Sequence, residues 1–320
     1  MSESPDSMKR RSHRSLITFS LAIVFLLIAV GVVLVSVIAY NFVSLPKTHF
    51  TTGTPDAPFE DVVFSSRAHD YLVHAFYMPG QPGAPALISI HGWRSSRHNE
   101  FDLARGNDLR KLGYSVLSVD LQDNGGDTVQ DGHLSLGYGE RWDVLGGMDY
   151  LMARGFPSDS IGLVGVSMGA TTSLEAAGLD PRLKAVWEDS AYERAMTVVI
   201  EQAANYGYPT FVIWPGAIWG FLTTGDRLWE VQPIAYAASF AANKQVIYIV
   251  HDEHDPLVLY HHGVDLSAAF QKAGVDVTFW SLPDADLGHA EAVTKYHDEY
   301  YRRLDSFFRK QFNWAAGNVF

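Results

Sequence analysis

Short runs of apolar residues alternate along most of this chain with segments that have helical spacing. The runs fall at residues 86–90, 115–119, 161–164, 185–187, 245–250 and 275–280. Continuous apolar runs of this length are typical of strands buried on both faces of a parallel sheet, and the segments between them supply crossover helices. The pattern predicts an α/β fold, with a mostly parallel central sheet and helices on both faces.

Other elements are predicted before, between and after these runs. Residues 62–64 and 72–77 are predicted to form an antiparallel strand pair that opens the sheet, and turn-forming residues follow at 79–83. Residues 138–153 and 296–312 have the apolar spacing of amphipathic helices. The second of these helices is expected to close the domain.

The segment 192–240 interrupts the alternation and is too long for a minimal crossover. Its aromatic residues are Tyr192, Tyr206, Tyr208, Phe211, Trp214, Trp219, Phe221, Trp229, Tyr236 and Phe240. The segment is interpreted as a small helical cap or lid insertion whose rings line an apolar pocket. The alternative is extra packing around a crossover helix.

An uncharged apolar stretch at residues 17–40 precedes all of these elements, and it is long enough to cross a bilayer as a helix. Basic residues stand directly before it, at Lys9, Arg10, Arg11 and Arg14. The positive-inside rule then predicts a single-pass protein of the cell membrane, with a cytoplasmic N-terminus and the remaining domain outside the cytoplasm. A signal peptide cleaved near residues 37–39, giving a secreted protein, is the alternative.

These features divide the chain into a basic tail at 1–16, a transmembrane helix at 17–40, a linker at 41–58 and a folded domain at 59–320. The linker contains three prolines and a glycine, a composition that suits a tether. A hydrophobic content of 47% supports a substantial core, and a net charge of −12 argues against nucleic-acid binding. The chain has no cysteine, so disulfides and thiolate chemistry are excluded.

Residues 165–169 read Gly-Val-Ser-Met-Gly and follow one of the predicted strands directly. The residues after them can start a helix, so the segment matches the strand, tight turn and helix of a nucleophile elbow. In such a turn the glycines permit close backbone approach, and the hydroxyl of Ser167 becomes an exposed nucleophile. An ordinary glycine-rich turn is the alternative explanation of the same five residues.

Three further groups are needed around Ser167, and the sequence offers candidates for each. His289 follows the last predicted strand and is the candidate base. Asp255 follows the strand at 245–250 and is the candidate acid, whereas Asp252 lies closer to the strand end and is expected to cap a turn. The backbone amides of Trp93 and Met168 are the candidate oxyanion donors.

Two histidine assignments follow from the same segments. His91 is expected to brace its loop rather than act as a base. A second interpretation of the acid loop is a metal site, built from Asp252 and Asp255 with the histidines His251, His254, His261 and His262. A cluster of histidines in an exposed loop is the simpler explanation, and no metal or cofactor is expected.

The motifs at 91–93, 165–169, 189–190, 252–258 and 288–289 make the chain similar to the alpha/beta-hydrolase superfamily over about residues 60–312. The resemblance is to its dienelactone-hydrolase-like and serine-aminopeptidase-like branch. It implies the α/β-hydrolase fold, with Ser167 as nucleophile, Asp255 as acid, His289 as base and oxyanion amides at Trp93 and Met168.

The sequence therefore predicts a membrane-anchored serine hydrolase that acts on a carboxylic ester through an acyl-enzyme. A peptidase or amidase with the same triad is the first alternative, and a non-catalytic binding protein with a hydrolase fold is the second. The expected partners are a small ester or peptide substrate and the bilayer around residues 17–40. Nothing in the sequence indicates an oligomeric state.

Overall fold

The protein has one eight-stranded sheet in the part of the chain described by this computed structural model, residues 5–43 and 50–315. Side chains are described for residues 14–37 and 50–315. The strands are β1 Glu60–Ser65, β2 Leu72–Met78, β3 Ala86–Ile90, β4 Ser115–Val119, β5 Ile161–Val166, β6 Ala185–Asp189, β7 Val246–Asp252 and β8 Asp276–Leu282. Their order in the sheet is β1-β2-β4-β3-β5-β6-β7-β8.

Strands β1 and β2 pair antiparallel, β2 joins β4 antiparallel, and every other pairing in the sheet is parallel. The prediction of an opening hairpin followed by a parallel sheet is therefore confirmed. Strand β6 runs further than its apolar run, because it continues through Glu188 and Asp189. These two acidic residues stay in the sheet because their backbone pairs with Ile249 and Val250 of β7.

Ten helices accompany the sheet in the described residues. They are α1 Pro5–Val43, α2 Glu100–Lys111, α3 Glu140–Ala153, α4 Met168–Leu179, α5 Ala195–Asn205, α6 Ile213–Thr224, α7 Ala237–Ala242, α8 His261–Ala273, α9 Ala292–Lys295 and α10 His297–Phe312. Alternate residues of a strand point to opposite faces, so Ile247 and Ile249 of β7 join one core while Tyr248 and Val250 join the other. Helices α3, α4, α7 and α8 cover the first face, and α2, α9 and α10 cover the second.

The segment between β6 and β7 forms helices α5, α6 and α7, with short 3-10 turns between them. Helix α6 contacts α1, the N-terminal helix. An 18-residue window within Arg14–Val37 of α1 has a mean hydropathy of 3.0, and this stretch is long and apolar enough to cross a membrane. A membrane anchor and a signal sequence share this property.

Candidate active site

Ser167 stands at the turn where β5 ends and α4 begins. Its backbone has φ 56° and ψ −124°, a conformation that L-residues rarely adopt. The turn is held across the sheet, because the amide of Ser167 donates a hydrogen bond of 2.7 Å to the carbonyl of Asp189 at the end of β6. Strained backbone of this kind is found where a side chain must be presented in a fixed direction.

Glycine is required on both sides of this turn. A Cβ on Gly165 would lie 2.3 Å from the carbonyl oxygen of Gly169. A Cβ on Gly169 would lie 2.4 Å from the carbonyl oxygen of His91. Both contacts are with backbone that cannot move aside, so the glycines allow strand, turn and helix to approach more closely than other residues would permit.

His289 reaches Ser167 from the loop between β8 and α9. Its Nε2 lies 2.7 Å from the Oγ of Ser167, and 16% of its side chain is exposed. The neighbouring Ala290 has φ 56°, so the loop turns sharply directly after the imidazole. The predicted base and the predicted nucleophile are therefore within hydrogen-bond distance.

Asp255 lies on the other side of the imidazole, in the loop after β7. Its Oδ2 is 2.7 Å from the Nδ1 of His289, and its Oδ1 accepts hydrogen bonds from the amides of Leu257 at 2.8 Å and Val258 at 2.9 Å. Burial acts to raise the pKa of Asp255, but His289 and the two amides outweigh burial and lower the pKa below its usual value. A carboxylate in this environment stays ionised and can hold an imidazolium.

Asp252 caps the turn after β7, in agreement with the role expected for it. Its Oδ1 accepts a hydrogen bond of 2.6 Å from the amide of His254, two residues further along the chain. This bond closes an Asx turn at the end of β7. Of these two aspartates, it is Asp255 whose carboxylate is bonded to His289.

The loop after β3 brings backbone close to the nucleophile. A Cβ on Gly92 would lie 3.4 Å from the Cβ of Ser167 and 3.9 Å from its Oγ. The amide of Trp93 follows Gly92 directly, and the amide of Met168 follows Ser167 at the start of α4. Amides at these two places can face the oxygen of a carbonyl group that Ser167 attacks.

His91 is buried beneath this loop and braces it. Its Nδ1 donates to the carbonyl of Gly92 at 2.8 Å, and its Nε2 accepts from the amide of Leu121 at 3.0 Å. One donated and one accepted bond correspond to a neutral imidazole. The histidine joins the loop after β3 to the residues that follow β4.

A cavity of about 1070 Å³ lies over Ser167 and His289. Its walls are mostly apolar, and they come from the loop after β3, from α5 and α6, and from α1. The residues of α1 on the wall are Leu34, Val35 and Val37. Three carboxyl residues line the wall, Asp102, Asp226 and Glu291, and burial raises the pKa of Asp226 to about 7.

The sequence analysis expected His251, His254, His261 and His262 to share an exposed loop. In the structure only His254 is exposed in a loop. His251 is buried in β7, where its Nε2 donates to the carbonyl of Val258 at 2.8 Å and so supports the Asp255 loop. His262 is buried in the first turn of α8. Tertiary packing covers these rings, although their sequence neighbours are polar.

The structure places two of these histidines beside a residue that the sequence pattern did not indicate. The carboxylate of Glu201 on α5 lies 2.7 Å from the Nε2 of His261 and 2.9 Å from the Nε2 of His262. This group offers three donor atoms within 4.8 Å of one another, and Asp252 and Asp255 lie elsewhere. The carboxylate of Glu201 therefore joins α5 to α8 through its contacts with two imidazoles.

Asp189 also contributes to the site. The sequence indicated residues 189–190 only as a motif after a strand, and it did not indicate what Asp189 does. Its carbonyl holds the amide of Ser167, and Ser190 has φ 62°. Burial raises the pKa of its side chain to about 6, and the charge of His289 acts in the opposite direction. The end of β6 therefore supports the nucleophile from behind.

Comparisons with known proteins identify the family of the chain and structures that share its fold. The sequence model of the prolyl oligopeptidase family matches residues 100–314. No protein with a curated description matches the chain.

Several solved structures share the fold. An esterase from Pyrococcus furiosus superposes with a TM-score of 0.65 at 19% identity, covering 84% of this chain and 98% of the esterase. An acetyl xylan esterase from a Paenibacillus species gives 0.60 at 20% identity, with 82% and 87% covered. An acylaminoacyl peptidase from Pyrococcus horikoshii gives 0.60 at 15% identity, with 82% of this chain but 43% of the peptidase covered.

At identities this low, structural likeness establishes the fold, and the family assignment rests on the sequence model. The expected superfamily is confirmed by both. Because the family match extends from residue 100 to residue 314, the chain belongs to the prolyl oligopeptidase family and is a serine hydrolase with the α/β-hydrolase fold.

Proposed function

We propose that this protein is a carboxylic-ester hydrolase in which Ser167, His289 and Asp255 form the catalytic triad. The observation that carries the proposal is the continuous pair of contacts at His289, with 2.7 Å from Nε2 to the hydroxyl of Ser167 and 2.7 Å from Nδ1 to Asp255. An imidazole held between a hydroxyl and a buried carboxylate can remove the hydroxyl proton and remain stabilised while it is charged.

In the first half of the reaction, the Oγ of Ser167 bonds to the ester carbonyl carbon and its proton passes to the Nε2 of His289. The amides of Trp93 and Met168 stabilise the oxyanion. The carbon–oxygen bond to the alcohol then breaks, and His289 returns the proton to the departing alcohol. In the second half, water bonds to the acyl carbon while His289 takes its proton. The bond to the Oγ of Ser167 then breaks, His289 returns the proton to Oγ, and the acid is released.

An ester is the favoured substrate because the cavity over Ser167 is large and mostly apolar. A peptide substrate needs polar partners for its backbone groups when these lose water, whereas an acyl chain needs only apolar walls. Of the three solved structures described above, two are esterases and one is an acylaminoacyl peptidase. A peptidase or amidase with the same triad is therefore the second candidate.

We further propose that α1 is retained as a membrane anchor and that the catalytic domain lies outside the cytoplasm. The apolar stretch from Arg14 to Val37 exceeds the usual apolar core of a signal peptide. The basic residues before it, Lys9, Arg10, Arg11 and Arg14, favour a cytoplasmic N-terminus. Val35 also packs against the hydrophobic core, a contact that cleavage after residue 39 would remove.

A fluorophosphonate probe, which reacts with activated serines, tests the triad in the full-length protein. Wild type should be labelled and hydrolyse p-nitrophenyl esters, and Ser167→Ala should lose both properties. Matched ester and anilide substrates with the same acyl group then separate the two enzyme candidates. Faster turnover of the anilide would favour the peptidase, and a folded wild type that is not labelled would favour a non-catalytic binding protein.

A further inference from the structure

Helix α6 and the turn before it carry an apolar face that is exposed to the surroundings. Phe211 is 80% exposed, Trp214 49%, Ile218 50% and Leu222 68%. The spacing of these residues, three, four and four positions apart, places them along one side of a helix. Exposed apolar faces of this length on a folded domain mark sites of contact with a partner or a membrane.

The opposite side of α6 is apolar as well, and it points into the protein. Ile213 and Ala217 are buried, and both line the cavity over Ser167 together with Gly216 and Gly220. A helix that is apolar on all sides is typical of a membrane environment or of the centre of a large core. Because its outer face is exposed here, α6 is not at the centre of a core.

The sequence around α6 also lacks charge. No Asp, Glu, Lys, Arg or His occurs from residue 202 to residue 225, a stretch of 24 residues. A face that contacts another protein in water usually has a polar, solvent-accessible rim, whereas a surface that sits among lipid tails excludes charge. The composition therefore favours a bilayer over a protein as the occupant of this face.

Helix α6 contacts α1, so the position of this contact along α1 indicates how deep α6 lies in that bilayer. The half-buried residues of α1 all lie in the last part of its described side chains, at Ala29, Gly31, Val35 and Ser36, while residues 14–28 are exposed. If residues 17–40 cross the membrane, residue 29 lies about 18 Å along the axis at 1.5 Å per residue, beyond the middle of a hydrocarbon core of about 30 Å. Helix α6, which packs against α1, then lies at the level of the far leaflet.

We infer that the outer face of α6, from Phe211 to Leu222, is immersed in the far leaflet of the bilayer, and that the enzyme takes long-chain esters directly from that leaflet. The inference rests on the proposed ester hydrolysis and membrane anchoring. Both α1, through Leu34, Val35 and Val37, and α6, through its inner face, line the cavity over Ser167. An acyl chain can therefore pass from lipid to the nucleophile along apolar walls, without crossing water.

The immersion can be measured directly, because the chain has no cysteine and a single introduced cysteine can be labelled uniquely. Full-length Phe211→Cys and Leu222→Cys, each labelled with an environment-sensitive fluorophore, are reconstituted in phosphatidylcholine and phosphatidylglycerol vesicles. The control is Leu179→Cys, since Leu179 is 38% exposed at the end of α4 that lies away from Ser167.

A spin-labelled lipid should quench the labels at 211 and 222 several-fold more than the label at 179, and aqueous iodide should show the reverse order. The inference is overturned if iodide quenches the label at 211 as strongly as the label at 179. It is also overturned if both quenchers are excluded from 211 and 222, because a second copy of the chain would then cover the face.

Substrate delivery is tested with Leu222→Ser, which leaves the cavity wall intact because Leu222 is not part of it. The ratio of kcat/KM for a long-chain ester in vesicles to kcat/KM for a soluble acetate ester should fall about tenfold. Leu179→Ser should leave this ratio unchanged. A Leu222→Ser variant with an unchanged ratio would overturn the delivery step.

Fluorophosphonate labelling of Ser167 on the same samples separates the two proposals. If wild type is neither labelled nor active on either ester, the proposed hydrolase function fails, whereas the quenching result still decides whether α6 lies in the bilayer. If wild type is labelled and active but iodide reaches residue 211, the hydrolase proposal holds and the membrane inference fails.

Discussion

The Nε2 of His289 lies 2.7 Å from the Oγ of Ser167, although 122 positions separate the two residues along the chain. Parallel strands explain this proximity, because Ser167, Asp255 and His289 follow β5, β7 and β8, whose carboxyl ends share one edge of the sheet. Strands β7 and β8 are neighbours, so the loops that carry Asp255 and His289 leave the sheet side by side.

Replacing the acid should reduce turnover far more than replacing its neighbour. We expect Asp255→Asn to lower kcat by about 10⁴-fold, since the amide cannot hold the imidazolium or the correct tautomer. Asp252→Asn should cost less than about tenfold, because Asp252 accepts a turn bond from His254. Steady-state kinetics on a p-nitrophenyl ester measure both. A larger loss in Asp252→Asn would reverse the assignment of the acid.

The elbow should not tolerate a side chain before the nucleophile. In Gly165→Ala the new Cβ would lie 2.3 Å from the carbonyl oxygen of Gly169, and we expect the free energy of unfolding to fall by about 3 kcal/mol. Gly220→Ala is the matched control, since nothing lies within 4 Å of a Cβ at this helical glycine. It should raise stability by up to about 1 kcal/mol. Equal melting temperatures would contradict the prediction.

Asp226, one of the carboxyl groups on the cavity wall, should make acyl binding depend on pH. The pKa of Asp226 is raised to about 7, and an acyl chain removes further water from it, so binding favours the protonated form. Affinity is then greatest below pH 7 and falls as the pH rises through it. In wild type, the KM for a long-chain ester should rise between pH 6 and 8, about one unit on either side of that pKa. In Asp226→Asn, the KM should not change over this range.

Asp298 provides the control for this pH profile, because its side chain is fully exposed on α10. The Asp298→Asn variant should keep the wild-type rise in KM. A wild-type KM that is independent of pH, or a rise that persists in Asp226→Asn, would show that Asp226 does not contact the acyl chain.

Filling the cavity should shorten the preferred acyl chain. Ala217 is buried on the inner side of α6 and lines the cavity, so Ala217→Phe should lower kcat/KM for a long-chain ester at least tenfold more than for acetate. Ala204→Phe places the same ring on the exposed side of α5 and should keep the wild-type profile. A panel of p-nitrophenyl esters of increasing length measures the shift. Identical profiles would argue against this cavity as the acyl site.

Much of the fold could be predicted because its determinants are local. The strands at 86–90 and 115–119 have the bounds that their apolar runs predict, since a run buried on both faces is distinctive. The strand ending at Asp189 was predicted too short, because acidic residues are unexpected in a buried strand. Its backbone pairing with β7 keeps them there.

The candidate site also has some features that follow from local sequence and others that follow from tertiary packing. The turn at Ser167 and the chain order of Ser167, Asp255 and His289 are readable from the sequence, because glycine spacing and position after a strand are local properties. Their 2.7 Å contacts, the burial of His251 and the Glu201 carboxylate beside two histidines depend on how distant segments pack. The same holds for α1, whose apolar composition is evident in the sequence. Its contact with α6, and its place on the cavity wall, arise only when residues nearly 180 positions apart come together.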